Sequence, residues 1–288
     1  MPVNDAAQVD RGAAESPPAT PQLNAVVLQR EEVASGLAIL RVAPRGWSLP
    51  PFKPGQYTTL GLPGSAARIE FSDPEDPPLD PYKLIRRAYS IASSSLEGEY
   101  LEFFLTLVRS GALTPRLFAL RPGDLLFLAR KITGMFTLDM VRPEANVVLA
   151  ATGTGLAPYM SMLRTMLPKM RDRRVAVLHG ANHSWDLGYR AELTTMQRLC
   201  PWFTYLPVVA APADEPVAWA GRIGFVQEAW DSGAVAHAWG FRPTPADTHV
   251  FLCGNPLMVE AMLELLGVDG FVEHTRKAPG QVHLERFW

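Results

Sequence analysis

The sequence holds only two cysteines, Cys200 and Cys253, in 288 residues. Two isolated thiols cannot supply the four thiolates of an iron–sulfur cluster, and they offer no disulfide framework. The six histidines (179, 183, 237, 249, 274 and 283) fall at none of the spacings of a metal-binding helix, so no metal site is expected. Redox chemistry, if present, must borrow an organic cofactor. No apolar run approaches the roughly 18 residues that span a bilayer, so no membrane segment is expected. The net charge is only −2, which gives no global basic field for nucleic acid. Residues 1–22 lack an apolar stretch and are rich in Ala, Pro and acids. They read as a disordered tail rather than a secretory signal, and a cytoplasmic protein is expected.

What is present is a globular composition, 48% hydrophobic and 19% charged, enough for one large domain or two ordinary ones. Residues 23–140 carry short apolar or alternating segments: AVVLQREEV, LAILRVA, YTTLGL, YLEFFLTLV, LLFLAR and MFTLD. Turn signals at Lys53-Pro54-Gly55, Arg121-Pro122-Gly123-Asp124 and Thr133-Gly134 punctuate them. This grammar predicts an antiparallel β-barrel. The acidic stretch Ser72–Pro81 reads as an insertion between two strands. Near Val141-Arg142-Pro143 the pattern changes. Over 141–288, strands are expected at Asn146–Ala151, Val175–His179 and Phe203–Val209, with a last one at His249–Leu252. Helices are expected from Leu156, over Tyr189–Leu199 and over Pro256–Leu266. Alternating strands and helices predict an α/β domain with a parallel sheet.

Four segments could carry chemistry. In Thr152–Pro158 the spacing is Gly-x-Gly-x-x-Pro, through Gly153, Gly155 and Pro158. A glycine turn between a buried strand and a helix lets N–H groups approach a pyrophosphate, although a plain tight turn fits too. No Lys-Ser/Thr follows, which excludes a P-loop. In Arg86-Arg87-Ala88-Tyr89-Ser90, a strand AYSIAS would begin just after Arg87. That group could pair with phosphate, stack on a planar ring and hydrogen-bond a ring nitrogen, or be a solvated arginine and a core tyrosine. Gly111-Ala112-Leu113-Thr114-Pro115 would open a short helix. Cys253-Gly254-Asn255-Pro256-Leu257-Met258 ends a parallel strand, where ligands of open α/β sheets gather, yet a buried cysteine can also be an inert small hydrophobe. The chain ends Glu285-Arg286-Phe287-Trp288, whose two aromatics need either a planar cofactor or a groove to cover them.

The ordered set RxYS, GxxT, GTGxAP, CGNPxM and an aromatic C-terminus resembles the ferredoxin/flavodoxin–NADP reductase family, in its compact bacterial form, from about Leu23 to Trp288. The resemblance implies an FAD-binding barrel over 23–140 and an NAD(P)-binding α/β domain over 141–288. It implies FAD contacts from Arg87, Ala88, Tyr89 and Ser90, from Val108, Gly111, Leu113 and Thr114, and from Thr154. Phe287 would cover the second flavin face and Trp288 would stack on the adenine. NADP(H) contacts would come from Thr152, Gly153, Gly155 and Pro158, from Asn182 and Arg222, and from Cys253, Gly254, Asn255 and Met258. Catalytic roles would fall on Ser90, Cys253 and Glu285.

The implied activity is hydride transfer between the nicotinamide and flavin N5, then one-electron steps to ferredoxin or flavodoxin, in a monomer. Arg116, Lys131, Arg276, Lys277 and Arg286 are candidates for a basic docking rim. The chain departs from the family where arginines grip the 2′-phosphate: Asn182 and Ala210-Ala211-Pro212 stand at two such places, and only Arg222 is retained. Each charge-assisted bond contributes roughly 1.5–3 kcal/mol. Discrimination against NADH is therefore expected to weaken, unless His183 or Arg190 compensates. Two alternatives stay open: an NAD(P)H-dependent reductase component serving another acceptor, and a non-catalytic flavin-binding sensor.

Overall fold

The structure is a computed structural model describing residues 22–286. The expected tail, but for Gln22, and the terminal Phe287 and Trp288 lie outside the described residues. Alternating burial builds the first sheet. Strands β1 (Ala25–Ala34) and β2 (Leu37–Pro44) form a hairpin whose turn needs the positive φ of Gly36. Then follow β3 (Tyr57–Pro63), β4 (Leu84–Ser90), β5 (Leu101–Thr106), the short helix α1 (Thr114–Ala119) and β6 (Leu125–Leu128). The sheet runs β4-β3-β6-β1-β2-β5, all antiparallel. A bridge between Ile91 and Phe103 brings the end of β4 onto β5 and closes the barrel. Leu40, Leu60, Phe103 and Leu126 fill it, and α1 adds Leu117 and Phe118. Each such fully buried side chain contributes about 1.5–3 kcal/mol.

Two expectations need correction here. Tyr89 and Ser90 end strand β4 instead of beginning one, and Arg87 lies within it, paired with Leu60. MFTLD is no strand: Leu138–Met140 is a 3-10 turn, and Phe136 packs edge-on against Phe251 of the second sheet at 5.3 Å. Its apolar residues serve the junction between sheets, so an alternating pattern appears without a strand partner. The acidic insertion is tied down by Glu75, which accepts from Arg68 and Arg116, both at 2.6 Å. The hydrogen bond from Arg116 holds the Glu75 carboxyl below the usual range against the opposing effect of burial.

The second sheet is parallel. It contains β7 (Asn146–Thr152), β8 (Val175–Ala181), β9 (Phe203–Val209), β10 (Arg222–Ile223), β11 (Thr248–Cys253) and β12 (Val282–Glu285). Their order is β10-β9-β8-β7-β11-β12. Helices α2 (Ala157–Met166) and α3 (Arg190–Leu199) pack on one face. Helices α4 (Val226–Asp231), α5 (Ala234–Trp239) and α6 (Pro256–Val268) cover the other. Along β7, Val147, Leu149 and Ala151 face the first group while Val148 and Ala150 face the second, so both sides of the strand are buried. Trp230 and Trp239 belong to that second core. His249–Leu252 was expected to be the last strand, but β12 follows and pairs parallel with β11. No helix among the described residues is long and apolar enough to cross a membrane.

Candidate active site

The chain leaves β7 for β8, β9 and β10 on one side and returns to β11 and β12 on the other. The carboxyl ends of β7 and β11 thus form the switch point of the sheet, where open α/β folds bind ligands. Here the two strand ends touch closely. A Cβ on Gly155 would run into the Cys253 carbonyl, and one on Gly254 (φ +137°) would run into Thr152. Thr152 Oγ1 accepts a hydrogen bond from Asn255 N at 2.7 Å, which locks the two loops together. Just beyond it, Gly153–Leu156 winds a 3-10 turn into α2, and the Asn255 side chain caps α6 by accepting from Leu257 N at 2.8 Å. Neither helix carries an acidic residue in its first turn, so both positive ends stay open to an anion.

A cavity of about 990 Å³ opens there and extends to the barrel. Of the sequence-predicted residues, it is lined by Ala88, Tyr89, Ser90, Val108 and Thr114 from the barrel side, and by Thr152, Gly153, Thr154 and Gly155. Asn182, Cys253, Gly254, Asn255 and Met258 complete that set. Others are not among its lining residues. Leu113 is 2% exposed with its side chain in the barrel core, and Pro158 is buried in α2. Gly111 sits behind the lining, its N–H bonded to Val108 O. Arg87 is exposed, with its guanidinium on Arg86 O at 2.8 Å, though its charge still reaches Tyr89. Arg222 lies in the edge strand β10, just before the lining residues Gly224 and Phe225. The Thr114 hydroxyl, expected to meet phosphate, is engaged in both directions with the Val108 main chain at 3.0 and 3.1 Å.

The three residues expected to be catalytic lie together, although Glu285 itself is not among the cavity's lining residues. Ser90 Oγ donates to Glu285 Oε2 at 3.2 Å, and Cys253 is paired in register with Glu285 across β11 and β12. All three are nearly inaccessible to solvent. Burial pushes the Glu285 carboxyl up to about 8, against the opposing hydrogen bond from Ser90. Burial and then the Glu285 charge also push the Cys253 thiol well up, so it stays a neutral thiol. The site therefore holds an exchangeable proton beside Ser90 and no thiolate nucleophile.

Sequence reasoning missed Phe104, Asp186, Phe225 and Gln227, which also line the cavity. Their signal is faint, because only the strand order brings the ends of β8 and β9 and the start of α4 to the same rim. Asp186 is the one charged side chain lining the cavity among the described residues. The compensating cations fare poorly. His183 is held by Asp186 at 3.0 Å and faces Asp214 at 3.5 Å, and Arg190 stacks on Trp219 at 4.7 Å. Arg116 is also withdrawn from any docking rim, being 2% exposed and paired with Glu75.

Comparison with known proteins agrees with this geometry. Residues 149–264 match the family model described as oxidoreductase NAD-binding domain. The flavodoxin/ferredoxin–NADP reductase of Escherichia coli (strain K12) is 31% identical over 239 residues, covering 83% of this chain and 88% of that protein. The ferredoxin–NADP reductase of Azotobacter vinelandii is 32% identical over 214 residues, covering 70% and 80%. A crystal structure of a ferredoxin NADP+ reductase from Neisseria gonorrhoeae with bound FAD and NADP has the same fold. Its TM-score is 0.76 at 23% identity, over 92% of this chain and 98% of that one. An Amycolatopsis cytochrome P450 reductase is 29% identical with a TM-score of 0.71, over 92% of this chain and 69% of the other. With its barrel, its switch-point cavity and this degree of identity over most of its length, the chain belongs to the flavodoxin/ferredoxin–NADP reductase family.

Proposed function

We propose that this protein is an FAD-dependent oxidoreductase that moves electrons between NADP(H) and ferredoxin or flavodoxin. The observation that carries the reading is the single cavity shared by Tyr89 and Ser90 of the barrel and Cys253 of the parallel sheet. FAD bound there would supply hydride exchange with a nicotinamide and single-electron exchange with a protein partner. We assign 23–140 to the flavin half and 141–288 to the nicotinamide half. The residues fit both groups in kind: an apolar-walled slot, an aromatic ring at Tyr89, and two helix starts with closely packed glycines for pyrophosphate.

The chain's own part is position and protons. Ser90 and Cys253 line the same cavity on either side of Glu285, so a ring bound against them is shielded from water and aligned. Glu285, a neutral acid through most of the physiological range, holds the proton that Ser90 can pass on. Exposed Lys131, Arg276, Lys277 and Arg286 are assigned to partner docking. Contacts gather three of them around the outer end of the site. Lys131 O accepts from Thr58, beside Tyr57, which pairs with Ser90; Arg276 reaches Met135 at 3.4 Å; and Arg286 follows Glu285.

A second reading concerns the coenzyme. With Asp186 on the rim, His183 paired to it and Arg190 stacked on Trp219, a 2′-phosphate is left to Arg222, so NADH is used alongside NADPH. The purified protein should carry FAD, bleach with either coenzyme, and reoxidise on adding ferredoxin or flavodoxin. Absence of bound flavin, or no bleaching by either coenzyme, overturns the assignment. A thousandfold preference for NADPH overturns the second reading alone.

A further inference from the structure

We propose that Glu102 is a positioning residue that pins the barrel to the parallel sheet and so sets where Ser90 stands relative to Cys253. The inference rests on the proposed function in one respect: that the cavity lined by Ser90 and Cys253 is where a hydride would pass.

Glu102 lies in β5 and is 1% exposed. Three elements donate to its carboxylate. Arg164 of α2 reaches Oε1 at 2.6 Å, the Tyr189 hydroxyl reaches the same oxygen at 2.8 Å, and Arg41 of β2 reaches Oε2 at 2.8 Å. Burial alone would raise this carboxyl, but Arg164, Arg41 and Tyr189 together hold it below the usual carboxylate range. Arg164 extends the cluster in two directions. Its Nε and Nη2 fork onto Glu192 of α3, both at 2.7 Å, and its Nη1 also donates to Ala92 O at 2.9 Å. Ala92 lies two residues beyond Ser90, and α2 starts from the glycine turn beside Cys253. One guanidinium therefore ties the segment carrying Ser90 to the helix that rises from the turn packed on Cys253.

Tyr189 adds a second line of argument. It is the one non-glycine residue with positive φ (+59°) among the described residues, a conformation held only where surroundings enforce it. Its ring packs on Phe104 at 5.1 Å and under Arg164 at 5.0 Å. Phe104 in turn lines the cavity, and Gly188 is flush against it with no room for a Cβ. A buried charge cluster is a costly way to gain stability compared with apolar packing. What it supplies is a unique registration of the parts that meet on it.

The experiment uses the full-length, flavin-loaded protein and two variants, Tyr189→Phe and Glu102→Gln. At saturating NADPH, stopped-flow flavin reduction should slow about threefold in Y189F and about tenfold or more in E102Q, since small misplacements of reacting groups are costly. KM and bound FAD should change little, and the long-wavelength absorbance of stacked nicotinamide and flavin should weaken. Calorimetry should show the single unfolding transition dividing into two, a readout independent of turnover. Should E102Q fail to fold, Y189F decides. Reduction within twofold of the parent in Y189F, with an undivided transition, overturns the proposal. If the parent itself is never reduced by a nicotinamide, the proposed function falls instead, and the calorimetric division still tests the clamp.

Discussion

At the scale of single residues, the most informative group is Glu285. Its carboxyl is raised to about 8 in the folded protein by burial, while unfolded it ionises near 4.5. The folded state thus binds more protons between those values, so stability falls as pH rises from about 4.5 to about 8 and then levels off. Glu285→Gln keeps the shape and removes the proton. Its advantage over the parent should be small at pH 5 and grow toward pH 8, by at most about 1.4 kcal/mol per pH unit. Urea unfolding at pH 5 and 8.5 measures it, and parallel pH profiles for the two proteins would refute the assignment. Ser90 makes a complementary prediction. A bulky replacement such as Ser90→Leu should cut flavin reduction by at least tenfold by filling the cavity beside Glu285, while FAD stays bound. An unchanged stopped-flow rate would show that Ser90 does not bound the reacting slot. The residues readable from sequence were those whose chemistry depends on local spacing: Gly153, Gly155, Gly254, and Tyr89 with Ser90. Asp186, Phe225 and Gln227 were not, because nothing local distinguishes them and their place at the cavity depends on strand order.

At the scale of elements, long runs were legible and short ones were not. NVVLAA and the alternating β1 and β2 segments carry enough period to declare themselves. β10 has two residues and β12 four, too few for a period, and both are held by pairing along the parallel sheet. The Trp230–Trp239 region breaks into two six-residue helices at Gly233, so its helical periodicity never accumulates. MFTLD misleads for another reason, since its alternation packs against the other sheet and has no strand beside it. The junction of β7 and β11 is the element-level feature with a test. Gly254→Ala places a Cβ against Thr152 at a φ of +137° that L residues avoid, a strain of about 1–3 kcal/mol. Relief requires the Thr152–Asn255 hydrogen bond to open, which moves the start of α6 away from the cavity. The expected outcome is a KM for the nicotinamide coenzyme raised more than tenfold with flavin content intact. An unaltered KM in a folded variant would mean that the close approach of the two loops is incidental to binding.

At the scale of the whole molecule, electrostatics must be local. A net charge of −2 gives no long-range attraction for an acidic electron carrier, so any steering has to come from a patch. Lys131, Arg276 and Arg286 gather where β3 starts and β4 ends beside Ser90, and Arg116 drops out because Glu75 already neutralises it inside the barrel wall. Exposed charges more than about 8 Å from a partner's are largely screened at 0.15 M salt. Electron delivery to ferredoxin or flavodoxin should therefore slow steeply between low and moderate ionic strength, whereas reduction of the flavin by NADH should depend on salt much less. Charge reversal at Lys131 and Arg276 together should raise the KM for the protein partner at least fivefold and flatten its salt dependence. Because both side chains are exposed and, among the described residues, the Arg276–Met135 contact is the only side-chain bond either makes, the double variant should fold and take up FAD normally. A steep salt dependence that survives this reversal would place the docking patch elsewhere, with the outer mouth of the Ser90 site left to small acceptors.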